Sequence, residues 1–87
     1  MRKVWKIDLE FDETSEQTNA DALLEAGEIR YRAFARARRN PNDPQRPQIG
    51  EEVAAARALE SLAMQLRRAA EHGVEEFEGH PVEIQLS

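Results

Sequence analysis

Hydrophobic spacing along this chain changes period once, across a proline-rich stretch, RRNPNDPQRPQIGEE (residues 38–52). Before it, apolar and polar residues alternate, the signature of strands with one buried face. After it, apolar residues recur at intervals of three and four, the stripe of an amphipathic helix. A chain that spends its first half on period two and its second on period 3.6 is an α+β chain, and the prolines mark the handover.

The strands follow from the alternation. Over residues 3–11, Trp5, Ile7, Leu9 and Phe11 fall on one side, and Lys6, Asp8 and Glu10 on the other. The polar run DETSEQ breaks the pattern. Over 17–25, Thr18, Ala20, Ala22 and Leu24 alternate with Asn19, Asp21, Leu23 and Glu25. Ala26-Gly27-Glu28 makes a tight connection, because glycine takes the positive φ a hairpin needs. Over 28–38, Ile29, Tyr31, Ala33, Ala35 and Ala37 share one face and Arg30, Arg32, Phe34, Arg36 and Arg38 the other. Short connections between consecutive strands predict a three-stranded antiparallel meander.

Residues 39–50 form the connector, with Pro41 ending the third strand and Pro44 and Pro47 stiffening the crossover. A helix is predicted over 51–72 from Val53, Ala56, Leu59, Leu62, Ala63, Leu66 and Ala70. Seven alanines between 54 and 70 raise its propensity. Gly50 is expected as N-cap, Glu51 and Glu52 in the first turn, Arg67, Arg68 and His72 near the negative end, and Gly73 as the closing C′ residue. Such a helix spans ~33 Å and a nine-residue strand ~30 Å, so one helix is long enough for the whole sheet. It is expected to lie near the alanine strands, with Trp5, Ile7, Leu9 and Phe11 filling the thicker side. In the tail, 73–87, Val82, Ile84 and Leu86 alternate as a short fourth strand would.

Residues 1–87 suit a single domain near the lower end of what folds alone. There are no cysteines, so neither disulfides nor thiolate metal sites are available. The longest unbroken apolar run is Val53–Ala56, far below the roughly 20 residues that span a bilayer, and the N-terminus has no signal-peptide core. A soluble cytoplasmic protein without membrane contact is expected. The net charge of −5 is unevenly distributed. Residues 1–28 hold three basic and eight acidic groups, 29–47 six arginines and one aspartate, and 48–87 three basic and eight acidic groups.

The segments "ARRNPND" and "IGEEVAAARALESLAMQL", after "WKIDLEF" and the alternating Thr18, Ala20, Ala22 and Leu24, resemble a family of short actinobacterial proteins of unknown function. The likeness runs over roughly residues 3 to 72. It implies a fold like the double-stranded-RNA-binding domain, a three-stranded antiparallel sheet with helical packing on one face. It implies no activity. That domain grips phosphates with lysines at the start of its last helix, where this chain carries Glu51 and Glu52.

Among candidate sites the arginine face comes first. Arg30, Arg32, Arg36 and Arg38, with Phe34 among them and Arg39 just beyond, could track a polyanion while Phe34 stacks a base. Asp8, Glu10, Asp21 and Glu25 on neighbouring strands offer the arginines local ion pairs instead. No nucleophile motif or glycine-rich phosphate loop is present, so no catalytic or cofactor-binding residue is assigned. His72 and Glu76 stand four apart, with Glu78 and His80 near, but a metal site there would need the helix to continue through Gly73. The expectation is a non-enzymatic binding or accessory protein acting by protein–protein contact or homodimerisation through the sheet or an open edge. A nucleic-acid or ribosome-associated role for the arginine face is the alternative.

Overall fold

A computed structural model describes residues 1–39, 47–79 and 83–84. Three strands, β1 (Lys6–Glu13), β2 (Gln17–Ala26) and β3 (Ile29–Arg38), precede one helix, α1 (Pro47–Glu78). The sheet order is β1-β2-β3, antiparallel throughout. The α+β meander with a single long helix on one face is as the sequence predicts.

Two turns set the register. At the first, the Thr14 hydroxyl accepts from the amides of Glu16 and Gln17 and donates to the Gln17 carbonyl. This closes the link between β1 and β2 and places Phe11 opposite Ala20. At the second, Gly27 takes φ 66° and Ala26 pairs with Ile29. A two-residue loop with positive φ only at its first position fits a type II′ hairpin.

The helix differs from expectation at both ends. It begins at Pro47, since proline is tolerated where the first-turn amides have no helical acceptor. Gly50 is therefore inside the helix rather than its cap, and Glu51 and Glu52 fall beyond the first turn. Gly50 matters for another reason. An added Cβ would lie 2.7 Å from Thr18 Oγ1, so its hydrogen lets the helix settle onto β2. At the other end the helix runs through Gly73, whose φ is not positive, and stops at Gly79. Gly79 takes φ 78° and donates its amide to the Glu75 carbonyl at 2.6 Å, the left-handed cap assigned from sequence to Gly73. Arg67, Arg68 and His72 are consequently not in the last turn.

Ala20, Ala22 and Leu24 of β2, Ala33 and Ala37 of β3, and Ala54, Ala58 and Leu62 of α1 form the core. Six of these eight side chains are alanine, which brings the helix close to β2 and β3. Beside it, Arg57 donates to the Arg36 carbonyl at 2.8 Å and Gln65 to the Arg32 carbonyl at 2.9 Å. Helix side chains thus occupy acceptors of the β3 edge strand.

The expectation for β1 is corrected here. The side chains read as inward do not fill the core: Trp5, which falls one residue before β1, is 55% exposed, Ile7 52% and Phe11 40%, and only Leu9 packs against the buried cluster. The reason is width. A helix is ~10 Å across and strands are ~4.8 Å apart, so one helix covers two strands, and the alanines draw it to β2 and β3. In length it overshoots: 32 residues rise ~48 Å against ~33 Å for a ten-residue strand. The longest dimension of the molecule is 53 Å.

Of the connector, residues 40–46 lie outside the described residues, as do 80–82 and 85–87 of the anticipated fourth strand. Glu83 and Ile84 carry no strand and sit along the helix, through Arg67 to Glu83 at 3.6 Å and the Ile84 amide to Glu71 at 3.3 Å. No helix among the described residues is long and apolar enough to cross a membrane.

Candidate interaction surfaces

Pairing between strands decides what the outer face of the sheet presents. Its cross-strand rows read Lys6–Glu25–Arg30, Asp8–Leu23–Arg32, Glu10–Asp21–Phe34 and Asp12–Asn19–Arg36, with Gln17 opposite Arg38. The face is acidic along β1 and basic along β3. Arg30, Arg32, Phe34, Arg36 and Arg38 all lie on it, as the alternation predicts. Arg39 is not part of this row. It follows Arg38 on the opposite parity, and its amide extends the pairing by donating to the Glu16 carbonyl at 2.8 Å.

Among the described residues, local neutralisation of the arginine row is confined to one of its members. Arg32 makes a two-pronged pair with Asp21, Nε to Oδ1 at 3.1 Å and Nη2 to Oδ2 at 3.0 Å. Its guanidinium also stands 5.4 Å from the Phe34 ring centre, within cation–π range. Among the described residues, Arg30, Arg36 and Arg38 make no ion pair. Phe34 is 72% exposed, beside a shallow open hollow lined by Asn19, Ala35 and Arg36.

The second surface lies on the helix side of the sheet. Ile7 and Phe11 stand beside β2 with no helix over them, and Trp5 is exposed one residue before the strand. Leu59, two positions past Arg57 and so ~200° around the helix from it, turns away from β3 towards β1 and is itself exposed. Leu66, on the same flank, packs against the buried cluster with Leu9. An apolar strip therefore runs between the helix flank and the free edge of β1. Sequence alternation identified these side chains as inward; what it lacked was the sideways position of the helix.

His72 and Glu76 do lie together, because the helix continues through Gly73: Nε2 to Oε1 is 3.0 Å, both side chains exposed. Among the described residues no group of three or more metal-ligating side chains converges. His80 and the side chain of Glu78 lie outside them.

Comparison with known proteins places the chain. The Rv2632c-like family matches residues 3–83. Uncharacterized protein Mb1767 of Mycobacterium bovis is 32% identical over 80 residues, covering 92% of this chain and 85% of the relative. Uncharacterized protein MT1780 of Mycobacterium tuberculosis is similar to the same degree. The crystal structure of Rv2632c superposes with a TM-score of 0.83 at 34% identity, covering 93% of this chain and 96% of that one. Sequence and fold agree over nearly the whole length, and the chain belongs to the Rv2632c-like family.

Proposed function

We propose that this protein is a non-enzymatic binding or accessory protein that acts through protein–protein contact at the apolar strip of β1. The observation that carries this is an inversion of the usual packing: alanines fill the core, while Ile7 and Phe11 remain outside it on the inward face and Trp5 is exposed one residue before the strand. Burying any of them is worth ~1.5–3 kcal/mol, and this chain's own helix does not bury them. Contiguous exposed apolar side chains of this kind mark a contact surface. Trp5 is the sole tryptophan and reports on the strip directly. Acrylamide quenching of Trp5 fluorescence should fall when the protein associates or binds its partner, and Phe11→Glu should reverse that protection without unfolding the chain. Trp5 remaining fully quenchable in every complex the protein forms would sink this reading.

A second reading is favoured by one observation, the absence of ion pairs at Arg30, Arg36 and Arg38, among the described residues, beside exposed Phe34. These residues, with Arg32, could hold a single-stranded polyanion. The sequence resemblance implies a fold like the double-stranded-RNA-binding domain, but the first turn of α1 carries no lysine and is followed by Glu51 and Glu52, so the contact would lie on β3. Binding through four or five phosphates gives log K against log salt a slope of about −3 to −4.5. Arg36→Glu should weaken it. Absence of binding at low salt eliminates it.

A further inference from the structure

The outer face of the sheet is divided lengthwise by charge. Asp8, Glu10 and Asp12 stand along β1, and Arg30, Arg32, Arg36 and Arg38 along β3. Same-face neighbours on a strand lie ~6.8 Å apart, so the row from Arg30 to Arg38 runs ~27 Å, enough for about four nucleotides of extended chain.

Phe34 decides which polyanion fits. It interrupts the row midway, between Arg32 and Arg36, and is largely exposed. A carboxylate gains nothing from a benzyl side chain, whereas a base has a π face to lay on it. Beside the ring lies the hollow lined by Asn19, Ala35 and Arg36. Gln17 Nε2 donates to Asn19 Oδ1 at 2.9 Å, which leaves the Asn19 amide nitrogen to donate to a base carbonyl. Arg36 stands opposite Asn19, placed for the adjoining phosphate. A base inside a duplex is stacked on both sides, so Phe34 reaches only an unpaired one. A duplex is also too wide: β1 lies ~9.6 Å from β3, and the second strand's phosphates would come over Asp8, Glu10 and Asp12.

We infer that the β3 row binds single-stranded nucleic acid, with one unpaired base on Phe34 and with Asp21 as a built-in competitor for Arg32. This rests on the second reading above, that the row holds a polyanion, and it names the ligand. In the free protein Asp21 takes two edges of the Arg32 guanidinium, at 3.1 and 3.0 Å. Those are the edges a phosphate needs. The pair is exposed, with 60% of the Arg32 side chain accessible, and exposed pairs contribute little, so an incoming phosphate displaces the carboxylate. Contact with the Phe34 ring, 5.4 Å away, keeps the guanidinium over the row while it changes partner.

Fluorescence anisotropy on the full chain at low salt tests this. The probes are a labelled DNA oligonucleotide of mixed sequence, the same sequence as a duplex, and poly-glutamate. The single strand should bind at least roughly tenfold more tightly than either of the others. Phe34→Leu keeps an apolar side chain but removes the π face. It should weaken the single strand roughly tenfold and leave poly-glutamate unaffected. Asp21→Asn should tighten the single strand severalfold and steepen log K against log salt by about 0.7, one further phosphate contact. Both positions lie on the outer face, so unchanged circular dichroism separates altered binding from lost folding. Poly-glutamate bound as tightly as the oligonucleotide, with Phe34→Leu indifferent, would overturn the nucleic-acid assignment and leave the row as a polyanion face for acidic proteins. A duplex bound as well as the single strand would overturn the one-strand geometry. Asp21→Asn without effect would overturn the competition for Arg32. Failure of every probe to bind would overturn the inference and the polyanion reading together.

Discussion

Thr18 and Gly50 show how closely the helix is seated. Thr18 is fully buried on β2, and its hydroxyl has no hydrogen-bond partner among the described residues. An unpaired buried hydroxyl costs ~1–3 kcal/mol, so Thr18→Val, which keeps the shape, should raise stability by about 1 kcal/mol in chemical denaturation. Gly50 meets this same hydroxyl. Alanine is a better helix former than glycine by ~1 kcal/mol, yet a Cβ 2.7 Å from a short, β-branched, buried side chain forces the helix or the strand to shift. Gly50→Ala should therefore destabilise by ~1–2 kcal/mol in the native background, in the range of other overpacking changes. With Thr18→Ala present, the next atom met is the Thr18 Cβ at 3.5 Å, and Gly50→Ala should become stabilising. That change of sign in a double-mutant cycle is the check. The sequence offered no sign of this pair, because glycine just before a run of helix formers reads equally well as a cap. Only the approach of β2 to the helix tells the two roles apart.

The elements themselves were legible to different depths. Strand alternation in β1 and β3, the glycine at the β2–β3 turn and the alanine-rich helix all follow from local pattern, although β1 runs Lys6–Glu13 where spacing suggested 3–11. The helix ends were not, because Gly73 and Gly79 are both glycines after a periodic run. An interior glycine costs a helix only ~1 kcal/mol, less than continuing the helix returns. Gly73 has open space around its Cβ position and an ordinary helical φ. Gly73→Ala should accordingly stabilise by ~0.5–1 kcal/mol in thermal or urea unfolding. Gly79→Ala, placed at φ 78°, should be neutral or unfavourable. If Gly73→Ala destabilised instead, the helix would end where the sequence alone suggested. The arginine row was equally legible in its placement and less so in its partners. Which carboxylate meets which arginine depends on diagonal neighbours, and Asp21 reaches Arg32 although Phe34 stands directly opposite it.

For the whole molecule, the decisive quantity was the width of the helix, not its length. Comparing lengths makes one helix adequate for the sheet; comparing widths shows that it covers β2 and β3 and leaves β1 bare. A chain of 87 residues buries only about 60–65% of its unfolded surface, and here the buried cluster is mostly alanine. Methyl groups supply little transfer free energy, so the single chain should be marginally stable and the associated form should supply the difference. Association of the folded state raises apparent stability by mass action, which makes the melting temperature depend on protein concentration. The midpoint should rise as the protein is concentrated and become constant in Ile7→Lys, which puts a charge into the apolar strip while altering a side chain already half exposed. At high dilution the two proteins should melt together, because Ile7 adds little to the single chain's core. Differential scanning calorimetry over two decades of concentration measures both quantities at once. A concentration-independent midpoint in the unaltered protein would mean that the alanine core suffices alone, and that β1 keeps its large side chains outside for a partner other than itself.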